Sequence, residues 1–250
     1  MNGLSCTFAS DTPMMLLESV DGVSCGSSAI TYKPIDYDGQ LLISTSLNAR
    51  NIPLVLNFGG KKGNMWSRSN AMERWQEIQK VFIPGQTGTL TWTDGTNSRF
   101  IRCRVDSSTQ PTQILPFLFR VKMNLIADRP MWYDSVENVV ELPSGEWTTT
   151  INNDSGIAVP FLLEVGTSTS VFAMASVAAG VGLSLQNATG EGFTVDTDKC
   201  TVTTDSGLLV NNMLSVESEF FKLMPGENVL NFAGGGDIVI KWRKAYMGVF

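Results

Sequence analysis

Two periodicities organise the first half of the chain. Phe117, Phe119, Val121, Met123, Leu125 and Ala127 alternate with Leu118, Arg120, Lys122, Asn124 and Ile126. A period of two predicts a strand with one face buried and the other turned to water or a partner. Apolar residues at 71, 72, 75, 78, 81 and 82 instead follow a helical stripe. Asn70 is the predicted N-cap of that helix, with Glu73 as its capping-box partner, and Pro84-Gly85 stops it. Further strands are predicted over residues 52–58, 89–93 and 99–105, the last two joined through Asp94-Gly95 as a hairpin.

The second half shows no helical stripe. Short apolar runs at 158–165, 182–186, 193–195, 199–203, 208–210, 220–223, 229–232 and 238–243 are separated by turn residues, which predicts a β-sandwich. Pro225-Gly226 reads as the turn of a closing hairpin, and Gly234-Gly235-Gly236 leads into the last strand. Residues 171–185, rich in Ala, Gly and Ser, read as a loop with strand edges. The expected fold class is mainly β: an α+β first half with one helix, followed by a β-sandwich.

Charge adds a division. Residues 1–133 carry 13 Lys and Arg against 10 Asp and Glu, a net of +3. Residues 134–250 carry 5 against 14, a net of −9. The sign change predicts two domains, 1–133 and 134–250, with different neighbours. Only 17% of the 250 residues are charged, a level that suits a chain hiding surface in an assembly and equally many plain β proteins. If strands 99–105 and 117–127 pair, Arg102, Arg104, Arg120 and Lys122 form a cationic stripe, which reads either as a screened, solvated face or as a candidate partner interface facing acidic groups of a neighbouring subunit.

Candidate chemistry is sparse. The chain has no histidine, which removes Ser-His-Asp and Cys-His machinery. Cys6, Cys25, Cys103 and Cys200 lack zinc-site spacing, and with no secretory signal read at the N-terminus they are expected to be reduced thiols. No apolar run reaches 18 residues. Asp196-Thr197-Asp198 lacks the further ligands of a calcium loop and reads as a turn. Gly59-Gly60-Lys61-Lys62-Gly63 lacks P-loop spacing and reads as a basic loop. The sequon Asn187-Ala188-Thr189 reads as chance, and the carboxylates of the second half sit in no catalytic motif. Trp92, Trp132, Trp147 and Trp242 could stack on sugars but are more often core or interface anchors. No cofactor or metal is expected.

Taken in order, the segments resemble the distal tail protein family of long-tailed bacteriophages with non-contractile tails. In the first half the resemblance rests on Asn57-Phe58-Gly59, the amphipathic helix, Phe82-Ile83-Pro84-Gly85, Leu90-Thr91-Trp92, residues 99–105, and Asp128-Arg129-Pro130-Met131-Trp132-Tyr133. In the second it rests on Ile151-Asn152-Asn153-Asp154-Ser155-Gly156, Val159-Pro160-Phe161, Asn187-Ala188-Thr189-Gly190-Glu191, Thr194-Val195-Asp196-Thr197, and the run from Phe220-Phe221 to Glu227-Asn228. It covers the chain from about residue 45 onward; residues 166–182 depart from the pattern.

The resemblance implies a ring-forming first domain, a galectin-like second domain and no catalytic residues. It also implies a homo-oligomer, expected as a hexameric ring at the tail tip of the virion and assembled in the host cytoplasm. Its partners would be the tail-tube protein, a tail-associated fibre-like protein, and receptor-binding or baseplate proteins, with DNA only in transit. The alternative is a carbohydrate-binding module for host cell-surface glycans, which the missing histidine and the single arginine of the second half, Arg243, disfavour.

Overall fold

The computed structural model describes residues 15–23, 28–34, 40–62, 65–145, 147–166, 171–186, 190–234 and 236–249. The chain divides into two compact units. The first comprises residues 1–94, 99–132 and 247–250, and the second comprises 95–98 and 133–246.

In chain order the elements reaching the end of the first long sheet are β1 (Met15–Val20), β2 (Ser28–Pro34), β3 (Gln40–Leu47), β4 (Arg50–Gly59), β5 (Lys61–Lys62), β6 (Met65–Trp66), α1 (Arg68–Val81), β7 (Thr87–Thr93), β8 (Ser98–Ser108), β9 (Thr112–Leu115) and β10 (Leu118–Ala127). The sheet runs β1-β4-β10-β8, with β7 beside β8 and β9 beside β10. The alternation predicted for residues 117–127 is realised: Phe119, Val121, Met123, Leu125 and Ala127 are buried. On β4, Ile52, Leu54, Leu56 and Phe58 supply the matching buried face. Helix α1 covers that face with Ala71 and Ile78, and Phe58 stacks between Trp75 (5.7 Å between centroids) and Phe119 (5.8 Å).

The helix begins three residues before its expected start. Ser67, not Asn70, is the N-cap, and its hydroxyl accepts from the Asn70 N–H at 3.1 Å. Asn70 is already helical, and its side-chain amide donates back to Gly60 C=O at 3.4 Å. The Ser67 N–H donates to the same carbonyl at 2.9 Å. Gly60 is required there: a Cβ would lie 2.0 Å from Ser67 O and 2.5 Å from Ala71 N.

The remaining strands are β11 (Trp132–Asp134), β12 (Asn138–Leu142), β13 (Thr148–Asn153), β14 (Phe161–Val165), β15 (Val171–Ser176), β16 (Val181–Gln186), β17 (Phe193–Asp196), β18 (Thr201–Thr204), β19 (Gly226–Ala233), β20 (Ile238–Trp242) and β21 (Ala245–Tyr246). Two antiparallel sheets, β12-β20-β14-β17-β18 and β13-β19-β15-β16, form the sandwich. Their inner faces meet where Phe172 of β15 packs edge-on against Phe193 of β17, with centroids 5.3 Å apart.

The mainly β class, with a single long helix among the described residues, is therefore the observed one, and local readings change within it. Residues 171–185 are not a loop: Val171–Ser176 and Val181–Gln186 pair as a hairpin. Its small residues alternate with buried Phe172, Met174, Leu183 and Leu185, which is a strand pattern on each side of the turn. The closing hairpin about Pro225-Gly226 does not form. β19 pairs with β13 and β15, while Leu223 bridges Val159. Residues 208–210 contribute only a bridge, Thr203 to Leu209. β13 (TTTINN) is polar but for Ile151, and β12 (NVVEL) is short and buries only Leu142 fully, so neither carries a contrast strong enough to flag it in the sequence.

Candidate interaction surfaces

The outer face of the first sheet, opposite α1, carries the four cations singled out by sequence. β8 and β10 do pair, but the register sets Arg104 against Ile126, while Arg120 faces Asn57 on one side and Thr112 on the other. Lys122 and Ile126 are four residues apart, about 13 Å of strand. That exceeds the screening length of about 8 Å at physiological salt. The side chains thus form two groups, Arg102 with Arg104 and Arg120 with Lys122, not one continuous stripe.

Carboxylates break the field further. Arg120 Nε donates to Glu18 at 2.8 Å and to Asn57 Oδ1 at 3.4 Å, and Asn57 Nδ2 donates to Glu18 at 3.0 Å. Arg104 meets Asp128 at 3.5 Å. Both ion pairs are substantially exposed, so each is worth under about 1 kcal/mol. Arg102 and Lys122 stand exposed on the same face. The opposite side of this unit holds an open apolar groove of about 270 Å³, lined by Trp75, Ile78, Phe82, Ile83, Pro84 and Met123 among others.

A buried cation that sequence reading passed over organises the chain end. Arg50 is 4% exposed. Its guanidinium donates to Gly22 C=O at 2.9 Å and Met247 C=O at 2.5 Å. Val249 N–H reaches Val23 C=O at 3.2 Å, so the C-terminal residues are tied into the first unit. The signal was present in the alternation: Arg50 continues the buried series Ile52, Leu54, Leu56, Phe58, and an arginine there must satisfy its donors internally.

In the sandwich, the motif residues behind the family resemblance act as locks on the backbone. Asn228, fully buried, accepts from Met224 N–H at 2.8 Å and donates to Met224 C=O at 2.7 Å and Gly226 C=O at 2.9 Å. Asn153 donates to Ile157 C=O and Leu223 C=O, both at 3.0 Å, and accepts from Ser155 N–H at 3.0 Å. Ser155 Oγ accepts from Ala245 N–H at 2.9 Å. Thr197 brackets Phe161, accepting from its N–H and donating to its C=O at 2.8 Å each.

The acidic residues are similarly engaged. Glu164 pairs with Lys241 at 2.5 Å, and Asp154 with Lys244 at 2.8 Å. Asp196 accepts from the N–H groups of Asp198 and Lys199 and from Lys199 Nζ, closing the turn expected there. Partial burial pushes its pKa up. The Lys199 ammonium and N–H and the Asp198 N–H outweigh that and hold it below the usual carboxylate value. No cluster of three metal-ligating side chains occurs among the described residues. Gly63, Cys6, Cys25 and the sequon at 187–189 lie outside the described residues.

Three of the four candidate tryptophans differ in exposure. Trp132 is fully buried, Trp242 is 8% exposed, and Trp147 alone of the two in the second unit is open, at 51%. Arg243 is occupied by Glu137 at 3.3 Å and by the carbonyls of Asp134 and Ser135.

Among the described residues these features brace the backbone and present surfaces. Residues 157–246 match the family model for the siphovirus-type tail component, C-terminal domain. No curated protein matches the sequence significantly. Among solved structures, the Dit protein (gp 19.1) of phage SPP1, described as a paradigm of the hub adsorption apparatus in phages infecting Gram-positive bacteria, is 18% identical, with a TM-score of 0.73 over 93% of both chains. A chain of the phage P2 baseplate in its activated conformation with Ca is 10% identical, with a TM-score of 0.58 over 95% of this chain and 93% of that one. A chain of the phage p2 baseplate in its activated conformation with Sr gives 9% and 0.58 over the same shares. The distal tail resemblance stated from sequence is borne out: residues 157–246 match the siphovirus-type tail component, C-terminal domain, and 93% of the chain is similar in fold to the SPP1 Dit protein.

Proposed function

We propose that this chain is a structural component of a phage tail tip, a distal tail protein. It joins the tail tube to fibre-like or baseplate proteins. The first unit builds a homo-oligomeric ring, six copies in the sense of the family, which leaves a passage for DNA. The sandwich projects as the platform for receptor-binding or baseplate components. The protein resides in the virion after assembly in the host cytoplasm. The reading assigns it no catalysis.

The observation that carries this is the agreement of fold across both units with a hub protein, at 93% coverage, rather than across the sandwich alone. A sandwich is shared by many functions; the specific sequence of a helix-capped sheet followed by that sandwich is far less common. The locked turns at Asn153 and Asn228 suit a part that transmits load without rearranging. Electron microscopy of the purified full-length protein, alone and mixed with its tail-tube protein, tests the proposal. Rings with a central opening are expected. A monomer in both samples, with no binding to the tube, contradicts it.

A further inference from the structure

Among the described residues of the first unit, the large apolar side chains left exposed are Leu47, Ile83, Ile114 and Leu115. All but Leu47 fall on two features, a projection and a hollow. The projection is the β9–β10 hairpin. Ile114 is 42% exposed and Leu115 49%, and Pro116 is exposed beside half-buried Phe117. The hairpin is braced: Gln113 pairs with Phe119 and Leu115 with Leu118, and Thr109 N–H donates to Lys122 C=O at 2.9 Å. Gly60 N–H donates to Phe117 C=O at 3.1 Å, which fixes the tip beside the start of α1. A tip so held is ordered before it meets a partner and loses little further entropy on binding.

The hollow is the apolar groove of about 270 Å³, where Ile78, Phe82 and Ile83 face Trp75 and Met123. It lies at the last turn of α1 and just beyond it. The 14 residues of the helix span about 21 Å, so projection and groove sit at opposite ends of one element. Their chemistry matches. Residues 107–119 include no charged residue, and neither does the lining of the groove. A charged segment entering this groove would be desolvated without a counter-ion, whereas this hairpin would not. The groove has the volume of about nine water molecules, comparable to the bulk of a pair of aliphatic side chains.

We propose that the β9–β10 hairpin tip of one copy seats in the α1 groove of a second copy. This rests on the ring reading and specifies the contact by which the first units join. Tip and groove differ, so the contact is heterologous and runs head to tail, the kind that closes into rings. Ile114 and Leu115 supply its desolvated anchor, around which the flanking polar surface forms the rim. An uncharged anchor is insensitive to screening by salt.

Sedimentation velocity of the full-length chain at about 25 mM and about 500 mM NaCl tests it. The wild type should self-associate equally at both. Ile114→Ser with Leu115→Ser removes the tip, and Gln79→Glu with Ile83→Glu charges the groove. Each pair should weaken self-association at least tenfold. All four side chains are exposed, so an unchanged melting temperature shows that the fold survives; where it falls, Leu115→Ser alone and Ile83→Ser alone take their place. Mixing the two variants is the sharper arm. The intact tip of one finds the intact groove of the other, so one-to-one dimers should form and grow no further, because the remaining tip and groove are the altered ones. A mixture that forms no dimer, a variant that self-associates as the wild type does, or association lost at high salt overturns this contact and leaves the ring reading standing. A groove variant that self-associates normally but no longer binds the tail-tube protein assigns the groove to that partner and overturns the contact between copies. A wild type that is monomeric alone overturns the contact; one that also leaves the tail tube bare overturns the ring reading with it.

Discussion

Replacing Asn228 by alanine removes the hydrogen-bonding centre of the turn that delivers β19 to the sandwich. Its amide makes three good bonds, to Met224 N–H, Met224 C=O and Gly226 C=O at 2.7–2.9 Å, and a fourth, long contact to Ile151 C=O at 3.5 Å. The residue is fully buried. A hydrogen bond contributes about 1 kcal/mol net, and each buried group stranded by a deletion costs about 1–3 kcal/mol. Part of the turn reaches solvent, so water recovers some partners. A loss of about 3 kcal/mol follows, or about 10–15 °C for a unit near 120 residues. The control is Asn231→Ala. Asn231 is exposed and its side chain accepts from Thr148 Oγ1 at 3.0 Å, so about 0.5 kcal/mol is expected. Calorimetry gives the shift, and hydrogen exchange over residues 148–165 locates it in the sandwich. A shift for Asn228→Ala within 1 kcal/mol of the control would refute the claim that this side chain holds the turn.

Gly60→Ala forces a Cβ into the start of α1 at 2.0 Å from Ser67 O, so about 3 kcal/mol of destabilisation is expected, read by urea unfolding; a neutral outcome contradicts the close approach. Asp196 has a folded pKa below its unfolded one. Its contribution is therefore present above the unfolded pKa and disappears as pH falls through the folded value; Asp196→Asn should flatten the acid limb of the stability curve and leave wild type and variant converging at low pH. Burial pushes the Cys103 thiol up to about 11, opposed weakly by a backbone hydrogen bond from Leu90. In native protein at about pH 8 it should alkylate about a hundredfold more slowly than an ordinary thiol, while exposed Cys200 labels readily, as peptide mass spectrometry will show.

Much of the architecture was legible because burial imposes a period. β10 and β4 alternate so cleanly that their inward sets could be read directly, and α1 shows its stripe against them. The misreadings arise where a local signal competes with tertiary pairing. Pro225-Gly226 is sound turn chemistry, yet the strand it starts finds better partners in β13 and β15 than in the segment just before it. Asn70 and Glu73 have the spacing of a capping box, but Ser67 captures the same N–H three residues earlier because Gly60 admits the helix start against its carbonyl. The arginine pattern on β8 and β10 was visible, whereas its register was not: a bulge between Asn124 and Leu125 and the offset of Arg104 to Ile126 depend on pairing that one sequence does not encode locally. Asn153 and Asn228 were seen as family motifs; their role as backbone locks needed the positions of carbonyls distant in sequence, Leu223 and Ile151 among them.

The central claim is that this chain builds the ring of a phage tail tip. Electron microscopy of the full-length protein mixed with its tail-tube protein tests it most directly. The account predicts closed rings of six copies seated coaxially on the tube end, with an open centre and sandwiches projecting outward. Monomeric particles that leave the tube end bare would contradict it.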